Sequence, residues 1–409
     1  MKEHKGVYQN STELMNLAGQ SFYMNDFVDA CLYGRLNLFL QGDTGSGKTQ
    51  LAKDTMNYFP DKSMFILGRN DMDTRELFQQ INLEKLRTGN SSQELKELTS
   101  KIKTNLFVVD ELPNCVPVVR AQLFNLFDGF IEINGQTYPI GNGYSVGIAT
   151  GNLGQKFTES SNDLGRALKD RMHVTIDTDY FKPTAWDTFN ILSNNTNPRV
   201  DFTQNFENGD LEKKILIAHN EVTSKEIPFE KLLIANYLIH GLDYANIGGK
   251  ETTKTKLKDA WPNAITNHGQ GSDEALVLPV SPRAAKSILR LSQAFDYIAK
   301  EKGVSEKEIQ SAYLCSMMQA YKFVGAYSGI LNDLAVREKY GNDKYSALDA
   351  IIATTQTQFQ EKEKAIVSGI GMINEGKKYK KVLDQFNGRW GFMKNFFENA
   401  LEQNLKQLK

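Results

Sequence analysis

The sequence predicts an α/β fold over its first half, a parallel sheet flanked by helices, and an all-helical region over its second half. Three observations carry this expectation. A glycine-rich loop, residues 42–49, lies between a strand-like and a helix-like stretch. Strand and helix signals alternate up to about residue 185, which is the pattern of a helix-covered parallel sheet. Beyond that point strand signals fade.

The loop reads Gly42-Asp43-Thr44-Gly45-Ser46-Gly47-Lys48-Thr49 and fits the phosphate-loop pattern of spaced glycines, then Lys, then Ser or Thr. Glycines let the backbone curl so that successive N–H groups point inward at a triphosphate. Lys48 is placed to reach the β- and γ-phosphates, and the Thr49 hydroxyl to hold Mg²⁺. Upstream, Leu36, Leu38 and Leu40 alternate with Asn37, Phe39 and Gln41, a strand with period two. Downstream, residues 50–58 read as a helix, so the loop meets a helix N-terminus.

The remaining strands are expected at 63–67, 105–110, 145–150 and 173–177, with helices at 74–80, 93–104 and 118–127 between them. Residues 128–143 interrupt the alternation. Asn134-Gly135 stands between two short apolar-alternating runs, a hairpin signal. Residues 211–222 and 229–242 read as amphipathic helices, and 248–274 as a polar loop. Pro282 suits the first turn of a helix to Lys300. Ser305-Glu306-Lys307-Glu308 offers a capping box. The tail from 329 to 409 is helical and charged, with Met393, Phe397, Leu401, Leu405 and Leu408 at helical spacing. The organisation is thus a nucleotide-binding domain over 1–190, a helical lid over 191–328, and a helical extension over 329–409.

At 409 residues the chain has room for two or three domains. Lys plus Arg total 48 against 49 Asp plus Glu, which gives no overall electrostatic footprint for nucleic acid. The three cysteines, Cys31, Cys115 and Cys315, lack metal-ligand spacing and read as reduced thiols. No apolar run reaches the roughly 18 residues that span a bilayer. The first residues, Met-Lys-Glu-His-Lys-Gly, lack a signal peptide's apolar core, so the expectation is a cytoplasmic protein with no membrane partner.

Further candidates follow the loop in order. The apolar run 106–109 ends in Asp110, which a strand would deliver to the magnesium shell. Glu111, one step on, can accept a proton from attacking water. Asn152 follows a second strand and can bond the γ-phosphate or the lytic water. Arg166 and Arg171 precede the next strand, where either could neutralise transition-state charge in a neighbouring subunit. Arg283, in Ser281-Pro282-Arg283-Ala284, sits in a first helical turn from which it could touch the γ-phosphate. His173, His219 and His240 are isolated, and Trp390, Phe392, Phe396 and Phe397 read as packed against the lid.

This order of loop, Asp-Glu strand, Asn, Arg and Ser-Pro-Arg helix resembles the AAA+ ATPases, and more narrowly their MoxR branch, over about residues 20–325. The hairpin before the Asn152 strand and Ser281-Pro282-Arg283-Ala284 are the branch-specific parts. Ala167-Leu168-Lys169-Asp170-Arg171-Met172 resembles the branch's Ala-Leu-x-Asp-Arg element, which favours Arg171 over Arg166 as the arginine finger. The chain departs from the family in having Gly151-Asn152-Leu153 for Asn-Pro and Leu112-Pro113-Asn114 for Ile-Asn-Arg. The resemblance implies Mg²⁺-dependent ATP hydrolysis in a homo-oligomeric, hexameric ring that remodels a client protein, with a von Willebrand factor A-domain protein as a partner. The alternative it leaves is a nucleic-acid motor or translocase-type subunit. No Asn-Lys-x-Asp guanine-reading motif occurs.

Overall fold

The structure, a computed structural model, describes residues 6–69, 71, 79–81, 96–98, 100–115, 117–133, 135–152, 170–194, 197, 199–200, 210–257, 276–325 and 329–407. Its chain divides into two compact units, 1–226 with 290–312, and 227–289 with 313–409.

The first unit is built on a five-stranded parallel sheet: β1 (Leu38–Gln41), β2 (Ser63–Leu67), β3 (Leu106–Asp110), β4 (Val146–Gly151) and β5 (Val174–Asp177). The spatial order is β5-β1-β4-β3-β2, so β4 is inserted between the loop-bearing strand and the Asp-bearing strand. Register aligns Gln41 with Gly151 and Asp177, and Asp110 with Leu67, which brings the carboxyl ends of all strands to one edge. All five expected strands are present, within two residues of the expected bounds.

Both faces of the sheet are buried, as parallel sheets require. Phe39, Phe107, Val109 and Ala149 pack on one face with Val119, Leu123, Leu126 and Phe127 of helix Pro117–Phe127. Alternate residues Leu38, Leu40, Leu106 and Val108 are equally inaccessible from the other face. Gly147 of β4 leaves room for two rings, since a Cβ there would lie 2.5 Å from Phe127 and 2.6 Å from Phe107.

The expected hairpin follows helix Pro117–Phe127, pairing Phe130–Ile133 with Gln136–Pro139. Asn134 lies outside the described residues; Gly135 has φ 76°, the left-handed conformation such turns need. Ile131 and Ile140 fix the hairpin to the core, and Tyr138 packs against them. The expected helices differ at two places, 79–80 at the end of the helix expected over 74–80 and 96–98 within the one expected over 93–104. These residues pair with each other as strands, Lys96–Leu98 antiparallel to Gln79–Ile81. Residues 74–78, also expected helical, lie outside the described residues.

Among the described residues of the second unit the elements are helical, including the 32-residue helix Lys344–Glu375, apart from an antiparallel ribbon of Tyr244–Ile247 with Lys250–Thr253. The ribbon turns at Gly248 and Gly249, both with positive φ, inside the stretch expected to be a loop. Its second strand, Lys-Glu-Thr-Thr, carries no apolar alternation and so gave no period-two signal. Trp390 packs at 4.8 Å from the Tyr237 ring and 5.1 Å from Phe359, so the tail aromatics serve as core. The capping box at Ser305 forms as expected, with the Ser305 hydroxyl accepting from the Glu308 N–H. No described helix is long and apolar enough to cross a membrane.

Candidate functional site

The loop leaves β1 at Gly42 and enters helix Lys48–Met56 at Lys48. Gly45 and Gly47 both have φ 83°, a conformation that side chains with a Cβ rarely adopt. Gly42 is needed for a different reason: a Cβ there would stand 2.1 Å from the Thr178 hydroxyl. Open space surrounds Gly45, so the outer side of the loop is free to approach a ligand.

Lys48 is buried, and its Nζ donates to the carbonyls of Gly42 (2.9 Å) and Asp43 (2.7 Å) and to the Ser46 hydroxyl (3.2 Å). Burial lowers its pKa, and the surrounding carboxylates of Glu111, Asp179, Asp43 and Asp110 oppose that shift. One ammonium thus faces four carboxylates in a partly desolvated cleft.

Asp110 ends β3 and lies directly under the start of the loop helix. The Thr49 hydroxyl donates to Asp110 Oδ1 at 2.9 Å, so the two expected metal-binding groups adjoin. Both are hard oxygen donors beside a loop built for phosphates, which is the donor chemistry magnesium prefers. Asn152 follows β4 at the same carboxyl edge of the sheet, and its Oδ1, shielded from solvent, has no hydrogen-bond partner among the described residues. Glu111 follows at φ 55°, the left-handed region, which is costly for a residue with a Cβ and recurs at functional sites. Burial raises the pKa of its carboxyl, Asp110 raises it further, and Lys48 counteracts.

Several residues that support this arrangement were not singled out in the sequence. Thr150, fully buried on β4, donates to Asp110 Oδ1 at 2.6 Å and accepts from the Glu111 N–H at 3.1 Å. It is a polar residue at an inward position of an apolar strand, and that was the available signal. Thr150→Val keeps the shape and removes both bonds; it is expected to cost about 1–3 kcal/mol in thermal unfolding and to slow turnover with little change in nucleotide affinity. Gly68 after β2 lets the chain pass Glu111, since a Cβ would lie 2.4 Å from the Glu111 carbonyl oxygen. The turn after β5 holds the loop from the other side: Asp179 Oδ2 accepts from the Asp43 N–H (2.7 Å), and the Thr178 hydroxyl meets the Ser46 hydroxyl (2.8 Å). Tyr8 covers Gly47, and its N–H donates to Asp54 Oδ2 at 2.8 Å.

The other candidates lie elsewhere. Arg171 precedes β5 and therefore sits at the amino edge of the sheet, a strand's length (about 13 Å for four residues) from the loop edge. Its Nε donates to Asp128 Oδ2 at 2.8 Å, and its guanidinium lies 5.0 Å from the Phe124 ring centroid. Arg166 lies outside the described residues. Arg283 belongs to the second unit, exposed in the first turn of helix Pro282–Glu301, with the Ser281 hydroxyl accepting from the Ala284 N–H at 3.1 Å. The structure thus brings together the loop, Thr49, Asp110 and Glu111, sets Asn152 at the same sheet edge, and keeps Arg171 away from them.

Comparison with known proteins bears on this geometry. Residues 37–172 match the profile of an AAA domain of the dynein-related subfamily. No curated protein matches the chain. The crystal structure of a "putative ATPase" from Cytophaga hutchinsonii is similar, with a TM-score of 0.52 and 18% sequence identity over 80% of this chain and 88% of that one. At that identity the likeness is one of fold. The parallel sheet and its flanking helices are those of the AAA domain that residues 37–172 match, and the likeness of fold extends into the helical part that follows.

Proposed function

We propose that this chain is a Mg²⁺-dependent ATPase of the MoxR-like AAA+ type, working as a homo-oligomeric ring on a client protein in the cytoplasm. The observation that carries the reading is the Thr49–Asp110 pair at 2.9 Å beneath the loop that buries Lys48. ATP would lie along the loop N–H groups, with Lys48 at the β- and γ-phosphates and Thr49 and Asp110 holding Mg²⁺. The metal, when bound, offsets the charge that builds on the phosphates.

Glu111 takes the proton from the attacking water, and its raised pKa suits it to that task. Asn152 orients the same water or the γ-phosphate through its buried amide. Arg171 acts in trans: its place at the amino edge keeps it from its own loop, and Asp128 holds the guanidinium ready for a neighbour's nucleotide. Arg283 reads the γ-phosphate from the lid, coupling nucleotide state to domain motion. Assembly is supported by helix Ala185–Asn194, which leaves Trp186 (68%) and Phe189 (59%) exposed and stacked on one another, and Leu192 (65%) exposed near them in sequence. The segments 1–190, 191–328 and 329–409 are read as nucleotide domain, lid and extension. A von Willebrand factor A-domain protein is the proposed partner.

The expected activity is phosphate release from ATP that stops when EDTA removes Mg²⁺. Release unaffected by EDTA, or its absence, would rule the reading out. With Glu111→Gln locked in ATP, pull-down is expected to retain a client protein. Nuclease-sensitive material in its place would favour a nucleic-acid motor.

A further inference from the structure

At the amino edge of the sheet, opposite the phosphate loop, lies a second cavity of about 500 Å³ within the first unit. That volume is in the range of small-molecule sites. Its floor comes from the residues that precede three strands: Asn37 before β1, Ser145 before β4 and His173 before β5. Arg35, His219 and Arg290 bring further nitrogen-bearing side chains to it.

Charge in this cavity is unbalanced. Arg35 and Arg290 lie close enough to His219 that both help depress its pKa, after burial, which is the larger cause. Burial also lowers the pKa of Arg290. Among the described residues the lining includes one carboxylate, Asp128, and Arg171 engages it at 2.8 Å. Like charges gathered in a partly desolvated pocket repel one another, and an anion placed among them relieves that repulsion.

The polar groups also converge. A Cβ at Gly129 would stand 3.1 Å from Arg35 Nη2 and 3.3 Å from the Ser145 hydroxyl, so the absence of a side chain there opens one point to both. Ser145 is 7% exposed, and its hydroxyl has no hydrogen-bond partner among the described residues. His173 Nδ1 accepts from the Asn37 N–H at 2.9 Å, which puts the neutral ring's proton on Nε2 and makes that nitrogen a donor. Of the donors at the cavity, Arg290 already gives one hydrogen bond to a helix end, the Val222 carbonyl at 3.2 Å. The Phe127 carbonyl is taken by the Asn37 amide (2.8 Å) and the Leu126 carbonyl by the Gly129 N–H (3.0 Å).

From this geometry we infer a binding site for a phosphate-class tetrahedral oxyanion, free phosphate or a small phosphomonoester, held by Arg35, Arg290 and Ser145. It is separate from the nucleotide loop and does not depend on the proposed ATPase reading.

The test is calorimetric titration of full-length Lys48→Ala, in which the loop no longer contributes, with inorganic phosphate and with phenyl phosphate. Saturable one-site binding is expected, weakened about tenfold or more by Arg35→Gln and by Arg290→Gln. Binding of both probes, or of phenyl phosphate alone, assigns a monoester; binding of inorganic phosphate alone assigns the free ion. Arg290 also donates to the Val222 carbonyl (3.2 Å), so its variant risks unfolding, whereas Arg35 is exposed and its variant keeps the test decisive. With each variant confirmed folded by circular dichroism, the inference is overturned if neither probe binds saturably to Lys48→Ala, or if the added Arg35→Gln binds as tightly as its parent. Either outcome would leave the arginines the role of offsetting helix C-termini.

Discussion

Glu111→Gln is expected to bind ATP about as well as the unaltered protein and to hydrolyse it roughly 10²–10⁴-fold more slowly, the range for loss of a general base. The amide matches the carboxylate in shape, and the left-handed backbone at φ 55° that aims the side chain is unchanged by it. What disappears is the capacity to accept a proton. The same carboxyl has its pKa raised by burial and by Asp110, with Lys48 opposing. Turnover needs it ionised, so the acid limb of the pH–rate profile should lie above its ordinary value of 4.5 and vanish in the residual activity of the variant. Single-turnover phosphate release across pH checks both statements. A variant that turns over normally would remove Glu111 from the mechanism.

Lys48→Ala should have the largest effect on binding. Its ammonium is buried amid Glu111, Asp179, Asp43 and Asp110, and removing it leaves those carboxylates facing a polyanionic ligand. Charge-assisted bonds to phosphate are the strong ones, so ATP affinity is expected to fall about 100-fold or more. Titration calorimetry with ATP and Mg²⁺ measures it. Undiminished affinity would place the nucleotide elsewhere. The Gly42 and Asp43 carbonyls also lose a donor, so circular dichroism should accompany the titration to separate lost binding from lost fold.

Much of this site was legible in the sequence because its signals are local. Gly42 to Thr49 is contiguous, and Asp110 and Glu111 sit at the end of an apolar run whose burial dictates a strand. Parallel pairing then carries the ends of β1, β3 and β4 to one edge without further information. Thr150, Gly68 and Thr178 were harder to find, since their roles depend on contacts across the sheet edge. A threonine in a strand is ordinary until Asp110 is seen beside it. The same holds for the ribbon at 244–253, whose strands are short and polar and whose pairing rests on backbone bonds. Ser145, His173 and Arg290 lie far apart in sequence, and only the topology gathers them at the amino edge.

Arg171 provides the most direct test of the central claim, that loop and finger from different subunits make one ATPase site. Arg171→Ala alone and Glu111→Gln alone should both be nearly inactive, since the loss of a finger costs about 10³–10⁵ in turnover. The measurement is phosphate release from ATP in a 1:1 mixture of the two variants. In mixed assemblies an intact Glu111 on one subunit can meet an intact Arg171 on its neighbour, so the mixture should be well more active than either variant. A mixture no more active than its components, where the unaltered protein hydrolyses ATP, would contradict the account.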